Sequence, residues 1–109
     1  MKTIEIFFQD DSELAEFEAK NKGYRTDVYV KIENVFYNIK VYDIFTLQQD
    51  FEREQNRYGY YSIEPNLVLV KDASKTEIIE TIKKLYEQKY FECIKPVERI
   101  EIIDLTKVD

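Results

Sequence analysis

Residues Tyr24 to Tyr42 constrain this chain more than any other stretch, because two alternating runs within them can be paired from residue order alone. From Tyr24 to Ile32, Thr26, Val28, Val30 and Ile32 fall on one side of a period-2 strand and Arg25, Asp27, Tyr29 and Lys31 on the other. From Val35 to Tyr42 the pattern recurs, with Val35, Tyr37, Ile39 and Val41 on one face and Phe36, Asn38, Lys40 and Tyr42 on the other. A two-residue turn at Glu33 and Asn34 sets Ile32 opposite Val35, Val30 opposite Tyr37 and Val28 opposite Ile39, so the two apolar faces coincide. The same register sets Asp27 against Lys40 and Arg25 against Tyr42, pairs worth a few tenths to about 1 kcal/mol each. Glu33 is the weak point, since a type I′ turn holds it at positive φ. A four-residue loop from Glu33 to Phe36 is the alternative, and it keeps the register outside it.

The rest of the chain is read around this hairpin. Lys2 to Gln9 alternates, with Ile4, Ile6 and Phe8 on one side and Phe7 on the other, and predicts a strand covered on both faces for part of its length. Asp10, Asp11 and Ser12 offer caps for a short amphipathic helix over Glu13 to Lys22, with Leu14 and Phe17 on one face, Ala15 and Ala19 beside them, and Gly23 at the left-handed C-terminal position. Thr46 with Gln49 reads as a capping box for a second helix to about Arg57, carrying Ile44, Leu47, Phe51 and Tyr58 on its apolar side and ended by Gly59. Tyr60 to Pro65 must be extended or irregular. Leu67 to Val70 is a continuous apolar run, the pattern of a strand buried on both faces near the centre of a sheet. Ser74 and Glu77 form the clearest capping box, opening a helix to about Lys89 with Ile78, Ile82 and Leu85 on its stripe, widened by Ile79 and Tyr86. Phe91 to Ile94 is expected as a short extended segment, Pro96 interrupts it, and Arg99 to Leu105 reads as a last strand.

These elements predict an α+β fold, a single two-layer domain over residues 1–109 with a mainly antiparallel sheet in the order βαββαβαβ. Its first six elements have the order of a ferredoxin-like split unit, which would arrange the strands 4-1-3-2 with both crossover helices on one face and a fifth strand beside the fourth. Such an architecture carries no function by itself.

Composition narrows the chemistry. The absence of histidine removes the commonest general base and metal ligand and any Ser-His or Cys-His nucleophile. With glycine only at positions 23 and 59 there is no phosphate-binding glycine loop. No cofactor and no catalytic residue is therefore assigned. Asp10 and Asp11 lack the further ligands of a calcium loop, so helix capping accounts for them better than a metal. Glu98, Glu101 and Asp104 are expected to be solvated charges, since a strand would point Glu101 away from the other two. Cys93, without a partner thiol, is expected to be a small buried hydrophobe. A net charge of −6 disfavours nucleic acid and suits a basic partner. No run of roughly 18 apolar residues and no basic start before an apolar core is present, so neither a membrane span nor a secretory signal is read, and a cytoplasmic location is expected.

Nine tyrosines and seven phenylalanines exceed what a core of this size conceals, and several ring edges are expected at the surface. Tyr58, Tyr60 and Tyr61 surround Gly59 in a predicted connection, where rigid aromatic side chains make a recognition surface. Tyr29, Phe36 and Tyr42, on the outer face of the hairpin, form a second candidate patch, which is exposed if no helix covers it and would then suit a partner or a second copy of the chain. Two functions from different classes follow. One is an acidic protein-binding domain acting on a basic partner, the general profile of inhibitors and bacterial immunity proteins. The other is a small-molecule-binding, regulatory or enzymatic domain with a pocket between sheet and helices or at a dimer interface, using groups such as Arg25, Tyr42 and Asp43.

Overall fold

A computed structural model of the protein describes residues 4–97 and 105–109. It is an α+β fold with one mixed sheet of five strands: β1 (Ile4–Phe8), β2 (Tyr24–Ile32), β3 (Val35–Tyr42), β4 (Leu67–Leu69) and β5 (Thr106–Lys107). Three helices accompany it: α1 (Glu13–Lys22), α2 (Ile44–Tyr58) and α3 (Lys75–Glu87). The predicted strand over Arg99 to Leu105 and the charges Glu98, Glu101 and Asp104 fall on or beside residues outside the described ones.

The hairpin forms about a two-residue turn with Ile32 opposite Val35, Val30 opposite Tyr37 and Val28 opposite Ile39. Glu33 (φ 50°) and Asn34 (φ 67°) both take the left-handed conformation that a type I′ turn requires. Towards its open end the register departs from the expected one. Between Arg25 and Val28 a bulge sets Thr26 and Asp27 together against Lys40, so Arg25 lies opposite Val41 and Tyr24 opposite Tyr42. The extra residue inverts the alternation, turning Arg25 inward and Thr26 outward. The Asn38 side chain donates to the carbonyls of Thr26 and Val28, at 3.1 Å each, and so satisfies backbone at the bulge. Inside, the Arg25 guanidinium lies 3.9 Å from the centre of the Phe8 ring, pairs with Asp27 at 2.7 Å and donates to the Asp10 carbonyl.

Strand order is β4-β3-β2-β1-β5, which replaces the expected 4-1-3-2. After α1 the chain passes through Gly23 into β2 and doubles back beside β1. Because β1 and β2 are then antiparallel neighbours, with Phe8 opposite Val28, both ends of α1 belong at one end of the sheet. The helix therefore cannot run along the sheet as a crossover would. Its inward residues are Ala19, with Ala15 and Glu16 half-buried, whereas Leu14 and Phe17, expected to be its packed face, are exposed. Polar contacts hold it instead: Asp11 pairs with Lys75 at 2.9 Å, and the Glu16 carboxylate accepts from the Lys75 backbone N–H at 3.0 Å.

One face of the sheet makes the core. Ile6, Phe8, Val28, Val30, Ile39 and Val41 meet Ile78 and Ile82 of α3, together with Val70 and Phe91, all buried. The Ser74 cap of α3 is present, with its hydroxyl accepting from the Glu77 N–H, but the Ser74 N–H donates to the Asp72 carboxylate and not to Glu77, so only half of the expected capping box forms. Phe91 lies in a 3-10 turn over Tyr90–Glu92 and not in an extended segment. That turn points Phe91 inward against Tyr37 and leaves Cys93 exposed, contrary to the burial expected for it. The fourth strand is also displaced from expectation. β4 pairs in parallel with β3 at an edge of the sheet, β5 pairs with β1, and Leu69 is exposed. Its apolar run hides an alternation, because Val68 and Val70 turn to the core while Leu67 lines a surface groove.

Candidate functional site

The groove lies where α2 returns to the sheet. α2 is capped by Asp43, whose carboxylate accepts from the Thr46 N–H at 2.7 Å, one turn earlier than the expected Thr46 box. Thr46 is buried and donates from its hydroxyl to the Lys22 carbonyl at 2.9 Å, so its sequence signature serves a joint between α1 and α2. The Asp43 N–H completes that joint by donating to the Gly23 carbonyl at 2.8 Å. At its other end α2 stops at Gly59, which is left-handed at φ 83°. The following residues then lead back to Leu67 beside Lys40.

This path brings Tyr58, Tyr60 and Tyr61 against Tyr42, which projects from the sheet face opposite the core. Together with Lys40, Glu54, Ser62, Glu64 and Leu67 they line a cavity of about 360 Å³, at the small end of the range of ligand pockets. Tyr42 is buttressed by Tyr24, stacked on it at 5.4 Å, and Tyr61 meets the Phe51 ring edge-on at 6.4 Å. Tyr58 and Tyr60 are exposed. Lys40 pairs with Glu64 at 2.6 Å, and Lys40 N–H donates to the Asn66 carbonyl, so the return loop is tied to β3 by side chain and backbone.

Burial, followed by the nearby Asp50 carboxylate, raises the Tyr42 phenol above its ordinary range, and the same causes in the same order act on Tyr61. Both phenols stay neutral at physiological pH and can donate as well as accept hydrogen bonds.

Four of the six expected site residues, Tyr42, Tyr58, Tyr60 and Tyr61, thus share one groove. Tyr29 and Phe36 do not join them. They lie towards the turn end of the outer face, both half-buried, with Phe36 at 6.0 Å from Phe7 and Lys31 at 5.7 Å from the Phe36 ring centre. Arg25, Tyr42 and Asp43 do not converge either: Arg25 faces the core, Tyr42 the outer face, and Asp43 caps α2. Glu54, Lys40 and Glu64 are groove residues that the sequence reading passed over. Glu54, four residues before Tyr58 on a helix, and Lys40, two before Tyr42 on a strand, share their faces by spacing alone. Glu64 comes close only through the loop.

A second cleft, of about 410 Å³, opens between the hairpin tip and α3, lined by Ile32, Val35, Tyr37, Tyr86 and Phe91. Among the described residues no group of three acidic, cysteine or histidine side chains could hold a metal, and no helix is long and apolar enough to cross a membrane. Neither a family model nor a curated protein nor a solved structure matches the chain.

Proposed function

We propose that this protein is an acidic protein-binding module, of the inhibitor or immunity type, that engages a basic partner through α2 and the tyrosine groove. The observation that carries this reading is an exposed apolar stripe. Ile44, Phe51 and Tyr58 recur every seven residues on one side of α2, all three are exposed, and the stripe runs into the groove. Exposed to 45–60%, these side chains forgo about half of the roughly 1.5–3 kcal/mol that full burial of one contributes, which favours a covering surface. Carboxylates flank it. Asp50, Glu52, Glu54 and Glu64 outnumber Arg53, Arg57 and Lys40, and Asp50 and Glu64 already hold two of those cations. Aromatic anchors inside an acidic rim suit a basic surface, with the charges speeding encounter and the rings holding the complex.

The test is capture of partners from the native cell on the wild-type protein and on a Tyr60→Ala/Tyr61→Ala variant, each at low and high salt. A basic protein retained by the wild type, released by salt and lost in the variant is expected. Retention indifferent to both salt and the two tyrosines overturns the proposal.

A further inference from the structure

We propose that the groove takes an arginine side chain of the partner, with Glu54 receiving its guanidinium; this rests on the binding-module reading above. The lining carries two carboxylates and one cation, and that cation, Lys40, is already held by Glu64 at 2.6 Å. No ion pair among the described residues engages Glu54. The charge left unbalanced in the groove is thus a carboxylate set among phenol rings. A guanidinium answers both at once, because its plane stacks on an aromatic face while its N–H groups bond a carboxylate. A lysine ammonium matches the charge but neither the plane nor the fork, and an anionic ligand would be repelled. The molecule already uses this combination internally, where Arg25 lies over the Phe8 ring at 3.9 Å and bonds Asp27 at 2.7 Å. Arg57 already lies 5.5 Å from the Tyr58 ring centre, which leaves the Tyr60 and Tyr61 rings and the Glu54 carboxylate of the groove for an incoming arginine.

Isotope-labelled protein titrated with a capped Gly-Arg-Gly peptide, and with its citrulline and lysine counterparts, tests the assignment. The arginine peptide should shift the amide signals of Glu54, Tyr58, Tyr60 and Tyr61 and bind about fivefold more tightly than the citrulline peptide, equivalent to about 1 kcal/mol. Glu54→Gln should remove most of that advantage while the signals of Ile39 and Ile82 stay in place. Tyr60→Ala, at an exposed position where folding is not at stake, should weaken arginine binding as well. Equal affinity for arginine and citrulline, shifts confined to surfaces away from the groove, or no shift with any peptide overturns the proposal. If the native partner is captured through Tyr60 and Tyr61 while the peptides bind alike, the arginine assignment falls and the module stands. If capture ignores those tyrosines, the module itself falls.

Discussion

α2 and α3 are written in the same code and used in opposite ways. Each has a polar residue at its N-cap and an apolar stripe at helical spacing. In α3 the stripe closes the core, with Ile78 at 0% and Ile82 at 1% exposure; in α2, Ile44 is 60%, Phe51 45% and Tyr58 58% exposed. The difference comes from connection and not from composition. α3 follows β4 and can lie across the sheet, whereas α2 is fixed to α1 through Asp43, Thr46 and Gly23 and to the sheet through its return loop. An apolar stripe therefore states that a helix has something to bury. It does not state that this chain buries it.

The sharpest way to break the comparison is to truncate one stripe residue from each helix. Ile82→Ala should cost about 2–5 kcal/mol, the price of a cavity in a closed core. Ile44→Ala, at 60% exposure on α2, should stay within about 0.5 kcal/mol. Urea unfolding midpoints measure both, and equal losses would mean that α2 is packed after all.

A second pair probes how α2 is held at each end. Both flanking glycines are left-handed, Gly23 at φ 81° and Gly59 at φ 83°, but a β-carbon on Gly23 would collide with the Thr46 hydroxyl and the Asp43 carboxylate, while one on Gly59 meets open space. Gly59→Ala should cost about 1–2 kcal/mol for the backbone alone. Gly23→Ala adds an overpacking term and should reach about 2–4 kcal/mol. Similar losses at the two sites would show that the α1–α2 joint yields freely.

The smallest effect is in pH, and it separates the two regions by sign. Hydrogen bonds from Ser12, the backbone N–H first, hold the Asp10 carboxyl below its ordinary value of 3.8, and Ser74, side chain first, does the same for Asp72 before α3. Folding favours these ionised forms, so their contribution is complete above about pH 4 and is lost as pH falls through the lower folded values. Tyr42 and Tyr61, raised above 10.0 mainly by burial, favour the neutral phenol; their contribution is complete below that value and lost as pH rises through the higher folded ones. Stability should weaken in acid on the side of α1 and α3 and in alkali on the side of α2. Thermal unfolding of Asp72→Asn and Tyr42→Phe across pH checks this: the first should flatten the acid limb only, the second the alkaline limb only.

Local pattern was enough to delimit α1 and the β2–β3 hairpin, down to the pairing of Val30 with Tyr37, because each depends on neighbours within a few residues. The Ser74 cap of α3 was legible for the same reason. The aromatic cluster around Gly59 was also visible, as a run of tyrosines beside a chain break. Its meeting with Tyr42, Glu54 and Glu64 was not. The bulge at Thr26 and Asp27 has no local signature, because strict alternation offers no sign of an extra residue; only Asn38, reaching two carbonyls across the strands, and the burial of Arg25 against Phe8 account for it.

What residue order determined by itself was the three helices, β1, β4 and the β2–β3 hairpin, since helix caps, turn chemistry and apolar periodicity act over one or two turns of chain. What tertiary structure alone decided was the company each element keeps: β1 beside β2, β4 at an edge, α3 over the core and α2 with its aromatic stripe in water. Those choices depend on where the joint at Gly23 and the return at Lys40 and Glu64 hold the chain. Such contacts join residues far apart in sequence, and no local periodicity records them.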